Sequence, residues 1–575
     1  MRARAVRRGR RGGGAAARAA GGRREPHGVV RKRYAGLAIA VFALLAWAVV
    51  YPNATVVVGS FAHGLRDWKE FFHSPADHEA LVNTIIISVA SVAASLTIGI
   101  PLAFLLARFE FRGRRILSAF ATLPAALPPL VGVIAFLFLY GESGVVTRAV
   151  QHVLGLSRAP WNLTGVWAIV FVHAYTMYVY VFLFVAAGLE RYDTSLDEAA
   201  AGLGAAQALR LRRVTLPLLT PAIVGSALLV FMSALGSFSA PYIFGGGIRV
   251  LSTQILVSKL NGSMTMAYVE TAMLALTAVA GLVVLRRIER RREYAVAGKG
   301  RTTRTRMQSR AWRLATPIVA TVAVIFLILP HAMVVLVSFA RDGTWTTQVL
   351  PPQYTLDNFR HLATDPDLLQ PITNSVSMAA MATAANVVFG LVAAYLLVLT
   401  RAPGRRLLGL LVALPWAIPA TAIALGLAAT FDRNSLATAR VLLVGTFWIL
   451  PLAYFIRNIP IVTNAIEGSL RQMDPTLEDA ARGLGASWWL AMRRVVLPAA
   501  RPGLVAGAML ASVAAVGEFV ASIVLYTHGN RPISMEILSQ LRSLSFGTAA
   551  AYSVLLIALV LAITMTARWA ESRFA

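Results

Sequence analysis

The stretch DEAAAGLGAAQALRLRRVTLPLLTPAI, Asp197–Ile223, returns in the same pattern as EDAARGLGASWWLAMRRVVLPAARPGL, Glu478–Leu504. In both copies an acidic pair is followed by alanines, a glycine, a basic segment and Leu-Pro, at fixed spacing. Each copy is charged, yet it lies between two long apolar segments. A repeat at this separation indicates a chain built from two similar halves.

The composition is that of an integral membrane protein. Of the 575 residues, 57% are hydrophobic and 14% are charged, whereas soluble domains are about one quarter charged. The chain contains no cysteine, which excludes disulfides, thiolate metal sites and cysteine nucleophiles. In a membrane protein, the net charge of +28 indicates loops that face anionic lipid rather than a nucleic-acid surface.

Residues 1–33 form a low-complexity tail of arginine, glycine and alanine. This composition predicts a disordered basic arm lying on the anionic inner leaflet. An RNA-binding arm is an alternative, but the tail lacks aromatic residues for base stacking. A cleaved signal peptide is disfavoured because the apolar run Tyr34–Val58 exceeds the roughly 7–15 residues of such a segment.

Twelve stretches are long and apolar enough to cross a bilayer, which takes about 20 residues per helix. In the first half they are Tyr34–Val58, Leu81–Leu106, Ile116–Leu139, Val166–Gly188, Leu216–Phe244 and Met266–Leu285. In the second half they are Ala315–Phe339, Ile372–Leu399, Leu407–Thr430, Ala437–Ile456, Leu497–Tyr526 and Phe546–Ala567. We therefore predict an all-α membrane protein with about twelve spans.

The loops between these spans predict the orientation. Arginine-rich loops, such as Arg108–Arg115 and Arg401–Arg406, alternate with loops that carry acids and histidines, such as His63–Glu79. The positive-inside rule then places both termini in the cytoplasm. A basic linker at 286–313 separates a first six-helix domain, 34–285, from a second, 314–575.

The two halves match along most of their length. Gly113 and Gly404 are 291 positions apart, and the same offset pairs Asn83 with Asn374. After a longer first-half loop the offset becomes 281, as for Gly204 and Gly485. Both halves keep the same orientation, so they form a parallel repeat related by an axis along the membrane normal, and the pathway should lie between them.

Within each copy of the quoted stretch, the residue order predicts a short helix, a turn and a second helix. Asp193 and Asp474 can cap the first helix, and Pro475 suits its first position. Gly204 and Gly485 can end that helix in a left-handed turn. Pro217 and Pro498 suit the start of the next span. Such a unit could simply cover the ends of the bundle, but that explains poorly why both copies keep the same residues.

The pattern resembles the EAA loop of ABC importer permeases. The first copy contributes Glu198, Ala199, Ala200, Gly204 and Pro217, and the second contributes Glu478, Asp479, Ala480, Ala481, Gly485 and Pro498. Asp479 stands where the family has glutamate. The resemblance implies the type I importer permease fold, with these loops docking on a cytoplasmic ATPase, expected to be a homodimer. It also implies an extracytoplasmic solute-binding protein and a place in the bacterial inner membrane.

Two EAA loops on one chain resemble the ferric-iron and thiamine permeases. The stretches Leu235–Gly247 and Val516–Ile537 look more like the ferric-iron type. Thiamine, a phosphonate and a polyamine are the alternative cargoes. An ion-coupled secondary transporter of the major-facilitator type, also six plus six, is the alternative from another class. It needs no matched pair of cytoplasmic loops.

The sequence predicts no catalysis by this chain. It contains no phosphate-cradling Gly-Lys-Ser/Thr loop, and Gly245–Arg249 lacks the lysine. Zinc-protease and nucleophile-elbow motifs are also missing. We therefore predict a non-enzymatic subunit without cofactor or metal site, whose ATP is hydrolysed by a separate protein.

Four polar residues in apolar segments are candidates for the pathway: Ser237, Glu518, Asn83 and Asn374. Glu518 matches Ser237 at the 281 offset, and an ionisable group inside a membrane usually faces a cavity or a partner. Lining the pathway and forming an interhelical ion pair are both open for Glu518. Interhelical hydrogen bonding is favoured for the asparagines. Pro124, Pro128, Pro415 and Pro419 are expected to kink their helices.

Overall fold

The structure is a computed structural model that describes residues 34–126, 128–191, 194–290, 310–345, 348–400, 402–432, 440, 442–474 and 476–574. The tail predicted at 1–33, most of the linker predicted at 286–313, Asp193 and Pro475 lie outside the described residues. The described residues are helical for the most part and contain no β-strand; an isolated bridge pairs Ala340 with Tyr354. The predicted all-α class is confirmed.

In the first half, the α-helices in chain order are α1 (Ala35–Leu45), α2 (Tyr51–Gly59), α3 (Arg66–His73), α4 (Pro75–Ala103), α5 (Arg114–Thr122), α6 (Pro129–Tyr140), α7 (Val145–Val153), α8 (Gly165–Glu190), α9 (Thr194–Gly202), α10 (Gln207–Arg210), α11 (Leu216–Leu218), α12 (Thr220–Leu235), α13 (Ser239–Phe244), α14 (Leu251–Leu260) and α15 (Met264–Arg290). Short π-helical segments occupy Ala46–Val50, Phe104–Arg108 and Leu211–Thr215, and a 3-10 turn occupies Leu123–Ala126.

In the second half, the α-helices are α16 (Arg310–Ser338), α17 (Asp357–Thr364), α18 (Pro366–Val398), α19 (Arg405–Ala417), α20 (Ala420–Phe431), α21 (Ile449–Leu470), α22 (Thr476–Gly483), α23 (Trp488–Ala491), α24 (Leu497–Val516), α25 (Val520–Leu525), α26 (Ile533–Arg542) and α27 (Phe546–Phe574). A π-helical segment occupies Met492–Val496 and a 3-10 turn occupies His528–Asn530.

The repeat extends to the way in which equivalent helices begin. The Ser74 hydroxyl accepts a hydrogen bond from the Asp77 N–H (3.3 Å) at the start of α4. Asp365, which is 291 positions later, accepts one from the Asp367 N–H (2.9 Å) at the start of α18. A proline follows each cap, where its missing N–H leaves no donor unpaired.

The number of spans agrees with the prediction. Within the described residues, ten helices are long and apolar enough to cross a bilayer, and two bent pairs raise the number to twelve when each counts as one span. One pair joins Gln207–Leu218 to Thr220–Leu235 with a bend of 65°, and the other joins Arg405–Ala417 to Ala420–Phe431 with a bend of 104°.

Several predicted boundaries are wrong. The span predicted at Ala437–Ile456 is the helix Ile449–Leu470; Ala437 itself lies outside the described residues. The hydropathy pattern stopped at Ile456 because Arg457 and Asn458 follow, but both have partners inside the bundle: Arg457 pairs with Glu518, and the Asn458 amide donates to the Ala511 carbonyl (3.3 Å).

Four further predicted spans are interrupted rather than continuous. The predicted span Ile116–Leu139 breaks between Thr122 and Pro129, and Leu407–Thr430 breaks at Pro419. In the fifth span of each half, α12 ends at Leu235 and α24 ends at Val516, and a short helix follows after a break. Window hydropathy misses such breaks because the residues around them are themselves apolar.

The first helix of each half packs on the other half. The helix α2 contacts α20, and the Gly426 backbone lies so close to Pro52 that a Cβ there would come within 3.0 Å of the Pro52 carbonyl oxygen. In the reverse direction, α16 packs on α5 and α6. The largest apolar core contains buried residues of both halves, so the two repeats interlock.

Candidate functional site

The two EAA loops have the same backbone path. We define the first EAA loop as 194–215 and the second as 476–496. In each, a short helix (α9 or α22) ends two residues before a glycine with positive φ, +79° at Gly204 and +90° at Gly485. Glycine adopts this left-handed conformation without the steric penalty of a Cβ. These angles give Gly204 and Gly485 the backbone role that the sequence predicts.

The second loop begins with a capped turn. The Asp474 carboxylate accepts hydrogen bonds from the Thr476 N–H (2.9 Å) and the Thr476 hydroxyl (2.7 Å). These two bonds, the backbone one first, lower the pKa of Asp474 below its ordinary value. Asp474 therefore caps this helix as predicted.

The second element of each loop leads into the following span, without interruption in the second half and with a bend of 65° after Leu218 in the first. A π-helical turn, Leu211–Thr215 or Met492–Val496, leads directly into the leucine before Pro217 or Pro498. Both prolines therefore lie inside an already helical path, just after the wider turn, which accommodates the missing N–H. The prediction that they begin the span is corrected in this respect.

The two acids of each loop face different surroundings. Asp197 and its repeat equivalent Glu478 are buried. Asp197 accepts from Arg108 Nη2 (2.7 Å), with Arg210 Nη1 at 3.6 Å, whereas Glu478 accepts from the Tyr395 hydroxyl (2.9 Å). Glu198 and Asp479 are exposed. The first acid thus fixes the loop to the bundle, and the second is presented outward.

Each loop also exposes leucines at repeat-equivalent positions. Leu203 is 90% exposed and Leu484 is 91% exposed, and half of Leu196 and of Leu477 is accessible. The neighbouring Ala199 and Ala480 are exposed, while Ala200 and Ala481 are half-buried. Exposed apolar side chains that recur in two copies, rimmed by polar residues, mark an interaction surface.

At the centre of the bundle, the breaks of the two halves meet. A Cβ on Gly517 would lie 2.7 Å from the Pro128 ring, and a Cβ on Gly236 would lie 3.8 Å from Pro419 Cβ. Each contact joins a fifth-span break of one half to a third-span break of the other. The repeat-equivalent Phe238 and Phe519 are buried and in edge contact, with ring centroids 6.0 Å apart. This aromatic pair lies where the breaks of the two halves meet, and we call it the central closure.

The structure places Ser237 and Glu518 next to this pair. Glu518 Oε2 lies 3.3 Å from Arg457 Nε, and Glu518 Oε1 accepts from the Ala521 N–H (3.0 Å). The Ser237 hydroxyl bonds His173 Nε2 (2.9 Å), whose Nδ1 bonds Ser91 Oγ (2.9 Å). Glu518 is therefore the ion-pair partner of Arg457 and is also adjacent to the central closure.

Asn83 and Asn374 lie apart from the breaks, toward the end of the bundle opposite the EAA loops. Each amide donates to the carbonyl of a loop that precedes α14 or α26, at Arg249 (3.1 Å) or Arg531 (3.1 Å). The sequence favoured hydrogen bonds between helices for both residues; in the structure each amide instead joins its helix to the loop before another helix.

The prolines contribute unequally to the breaks. Pro128 and Pro419 directly precede α6 and α20, at the breaks, and both are buried. Pro415 lies inside α19, three residues before its bend. Pro124 lies in a 3-10 turn. The kinks predicted for all four thus concentrate at one proline in each half.

Arg457, Phe238 and Phe519 were missed by sequence reasoning. An arginine beside an apolar run, together with a glutamate in another span, is the signal that could have indicated the ion pair. The phenylalanines carry the weaker signal that they match at the 281 offset. Among the described residues, no group of three or more histidines and acids is placed to hold a metal ion.

Comparison with known proteins identifies relatives over both halves. The family described as "Binding-protein-dependent transport system inner membrane component" matches residues 99–294 and 386–575. A "Probable ABC transporter permease protein" of Sinorhizobium fredii is 29% identical over 93% of this chain and 95% of its own length. A ferric transport system permease protein of Actinobacillus pleuropneumoniae is 25% identical over 93% of this chain and 78% of its own. The sulfate transport system permease protein of Escherichia coli is 31% identical over 39% of this chain and 83% of its own.

Proposed function

Because the chain belongs to the binding-protein-dependent transport system inner membrane component family and is an ABC importer permease, we propose that it moves ferric iron from a docked binding protein across the bacterial inner membrane. Membership of this family excludes the major-facilitator alternative. The membrane subunits of this family are not enzymes themselves, and ATP hydrolysis belongs to a separate cytoplasmic ATPase in this proposal.

The duplicated exposed surface of the EAA loops is the observation that carries the ATPase part of the proposal. Leu203 and Leu484 have equal exposure at equivalent positions, and an acid, Glu198 or Asp479, lies five residues before each leucine. Two matching surfaces fit two copies of one partner, which supports a homodimeric ATPase. The exposed leucine enters a cleft on each ATPase subunit, since apolar anchors in pockets dominate interface energies.

The helices give a mechanical route from the loops to the central closure. In the second half, Trp488–Val516 is one span of 29 residues, roughly 43 Å long at 1.5 Å per residue. It connects the loop to Gly517, which touches Pro128 of the other half. Closure of the ATPase dimer draws the loops together, moves these helices as levers, and separates Phe238 from Phe519.

The cargo assignment rests on the extent of the relatives. The ferric permease matches this chain across both halves, whereas the sulfate permease matches less than half of it. Of the four pathway candidates, Ser237 and Glu518 adjoin the closure; the amides of Asn83 and Asn374 are bonded to loop carbonyls. Thiamine, phosphonates, polyamines and sulfate are the competing cargoes.

Reconstitution tests the proposal directly. The chain is incorporated into proteoliposomes with its ATPase and its binding protein, and ATP-dependent uptake is measured for ferric iron, sulfate and thiamine. We expect ATP-dependent accumulation of iron alone, and loss of that uptake when Leu203→Glu is combined with Leu484→Glu. Uptake of sulfate or thiamine instead would overturn the cargo assignment. Full uptake by the double variant would overturn the docking assignment.

A further inference from the structure

The two EAA loops differ most at one site. Most outward-facing positions carry the same residue in both copies: Leu209 matches Leu490, and Arg212 matches Arg493. By contrast, Trp488 and Trp489 replace Gln207 and Ala208. This difference makes the two candidate ATPase contacts chemically unequal, although the ATPase subunits that meet them are identical in the proposed function.

The first indole is held rigidly by the bundle. Trp488 Nε1 donates to the Tyr395 hydroxyl (3.1 Å), and the two rings meet edge to face at 6.3 Å. The Tyr395 hydroxyl donates its single proton to Glu478 (2.9 Å) and lies 3.2 Å from the Tyr34 hydroxyl, which accepts from Arg482 Nη1 (3.2 Å). A network with this many partners fixes the orientation of Trp488.

The Trp489 indole contacts the Trp488 indole and faces outward. The rings of Trp488 and Trp489 lie 6.2 Å apart at 40°, and Trp489 is 66% exposed. It follows the exposed Leu484 by five residues within the same loop. Tryptophan offers a large contact area at a low cost in conformational entropy, and it is enriched among interface hot spots.

We propose that Trp489 makes the second EAA loop the tighter of the two ATPase contacts, by entering an apolar pocket beside the cleft that receives Leu484. The inference rests on the proposed ATPase docking. The first loop has a methyl group, Ala208, at the equivalent position, and it is fixed to the bundle by the Asp197–Arg108 ion pair instead. A single chain therefore presents one strong and one weak site to a symmetric partner.

The test uses the full chain in lipid nanodiscs, titrated without nucleotide with the purified ATPase that copurifies with the tagged wild-type chain. We expect two classes of site that differ about 30-fold in Kd, which corresponds to the ~2 kcal/mol of a hot spot. Trp489→Ala should leave a single weak class. Ala208→Trp should create a second tight site, a gain that misfolding cannot imitate.

Matched controls separate this inference from the docking proposal. Leu209→Ala and Leu490→Ala alter equivalent exposed leucines and should weaken the two sites by the same factor. If Leu203→Glu with Leu484→Glu leaves binding intact, the docking proposal fails. If that pair abolishes binding but Trp489→Ala and Ala208→Trp leave both Kd values unchanged, the inference alone is overturned. Unchanged Kd with lower thermal stability of Trp489→Ala in nanodiscs would mark the indole as a bilayer anchor, which also overturns it.

Discussion

Replacing Glu518 with glutamine should destabilise the protein through Arg457. Glutamine keeps the shape of the side chain and an oxygen for the Ala521 N–H, which lies 3.0 Å from the carboxylate. The loss is the negative charge that faces Arg457 at 3.3 Å. Arginine stays protonated in a protein, so the variant leaves an uncompensated cation inside the bundle.

The size of this effect follows from the burial of the two side chains. Removing one partner of a fully buried pair costs about 3–5 kcal/mol. The Glu518 side chain is 11% exposed, but that of Arg457 is 32% exposed, so part of the stranded charge is solvated. We therefore expect a loss of about 2 kcal/mol in the free energy of unfolding, a factor of roughly 30 in the equilibrium constant.

Unfolding in mixed detergent micelles measures this loss of stability. A double-mutant cycle shows how much of it comes from the interaction between Glu518 and Arg457. Glu518→Gln, Arg457→Met and the double variant are unfolded in parallel with the wild type. Because the double variant has no charge left to strand, it should be more stable than the sum of the single losses predicts. ATP-driven uptake is measured on the same preparations.

Wild-type stability of Glu518→Gln would refute this reasoning, since the negative charge of Glu518 would then not stabilise the protein through Arg457. Lost uptake at unchanged stability would instead assign the carboxylate to the cargo pathway alone. Lowered stability with normal uptake would reject the pathway role of Glu518 and keep the ion pair.

Three further outcomes follow from the geometry. Gly517→Ala should destabilise the protein by about 1–3 kcal/mol through overpacking, because its Cβ would lie 2.7 Å from the Pro128 ring of the central closure. Gly236→Ala is the matched control. Its Cβ would lie 3.8 Å from Pro419 Cβ, so this variant should unfold like the wild type. Equal unfolding free energies for the two variants would contradict the asymmetry of these contacts. Glu198→Lys combined with Asp479→Lys should abolish uptake in proteoliposomes without loss of folded protein, since both acids are exposed, and normal uptake would count against the acids as ATPase contacts. Single cysteines can be placed at Ser74 and Ala206 because the chain has no other cysteine. The cysteine at 74 should react with an impermeant maleimide from outside, and the cysteine at 206 should react only after permeabilisation. Labelling of position 206 from outside would reverse the proposed orientation.

The features that could be predicted from the sequence are those that occur in both halves. The offset of 291, later 281, identified the two halves, the loops and the glycines that end their short helices. A duplicated motif distinguishes constrained positions from variable ones within one chain, because Leu203 and Leu484 recur while the equivalent residues Ala201 and Arg482 differ. The resemblance to importer permeases then supplied the partners that composition could not.

Hydropathy could not predict where the spans break or how they pair. A window average treats Gly236–Phe238 and Gly517–Phe519 as part of one apolar run, yet each triplet ends a helix. The window average also ended the tenth predicted span before Arg457, because the carboxylate that pairs with Arg457 belongs to Glu518, 61 positions away. Polar groups inside a membrane are tolerated when a partner is present, and partners that distant are visible only in the fold.

The exchange of first helices between the halves has a consequence for biosynthesis. The helix α2, at Tyr51–Gly59, contacts α20, at Ala420–Phe431, so more than 350 residues must be made before its partner exists. At about 5–20 residues per second, the face of this helix that packs on α20 stays uncovered for tens of seconds, although α15 of its own half contacts the helix as well. Assembly of the first half therefore finishes only after most of the second half has been synthesised. The two halves fold together rather than as two domains in succession.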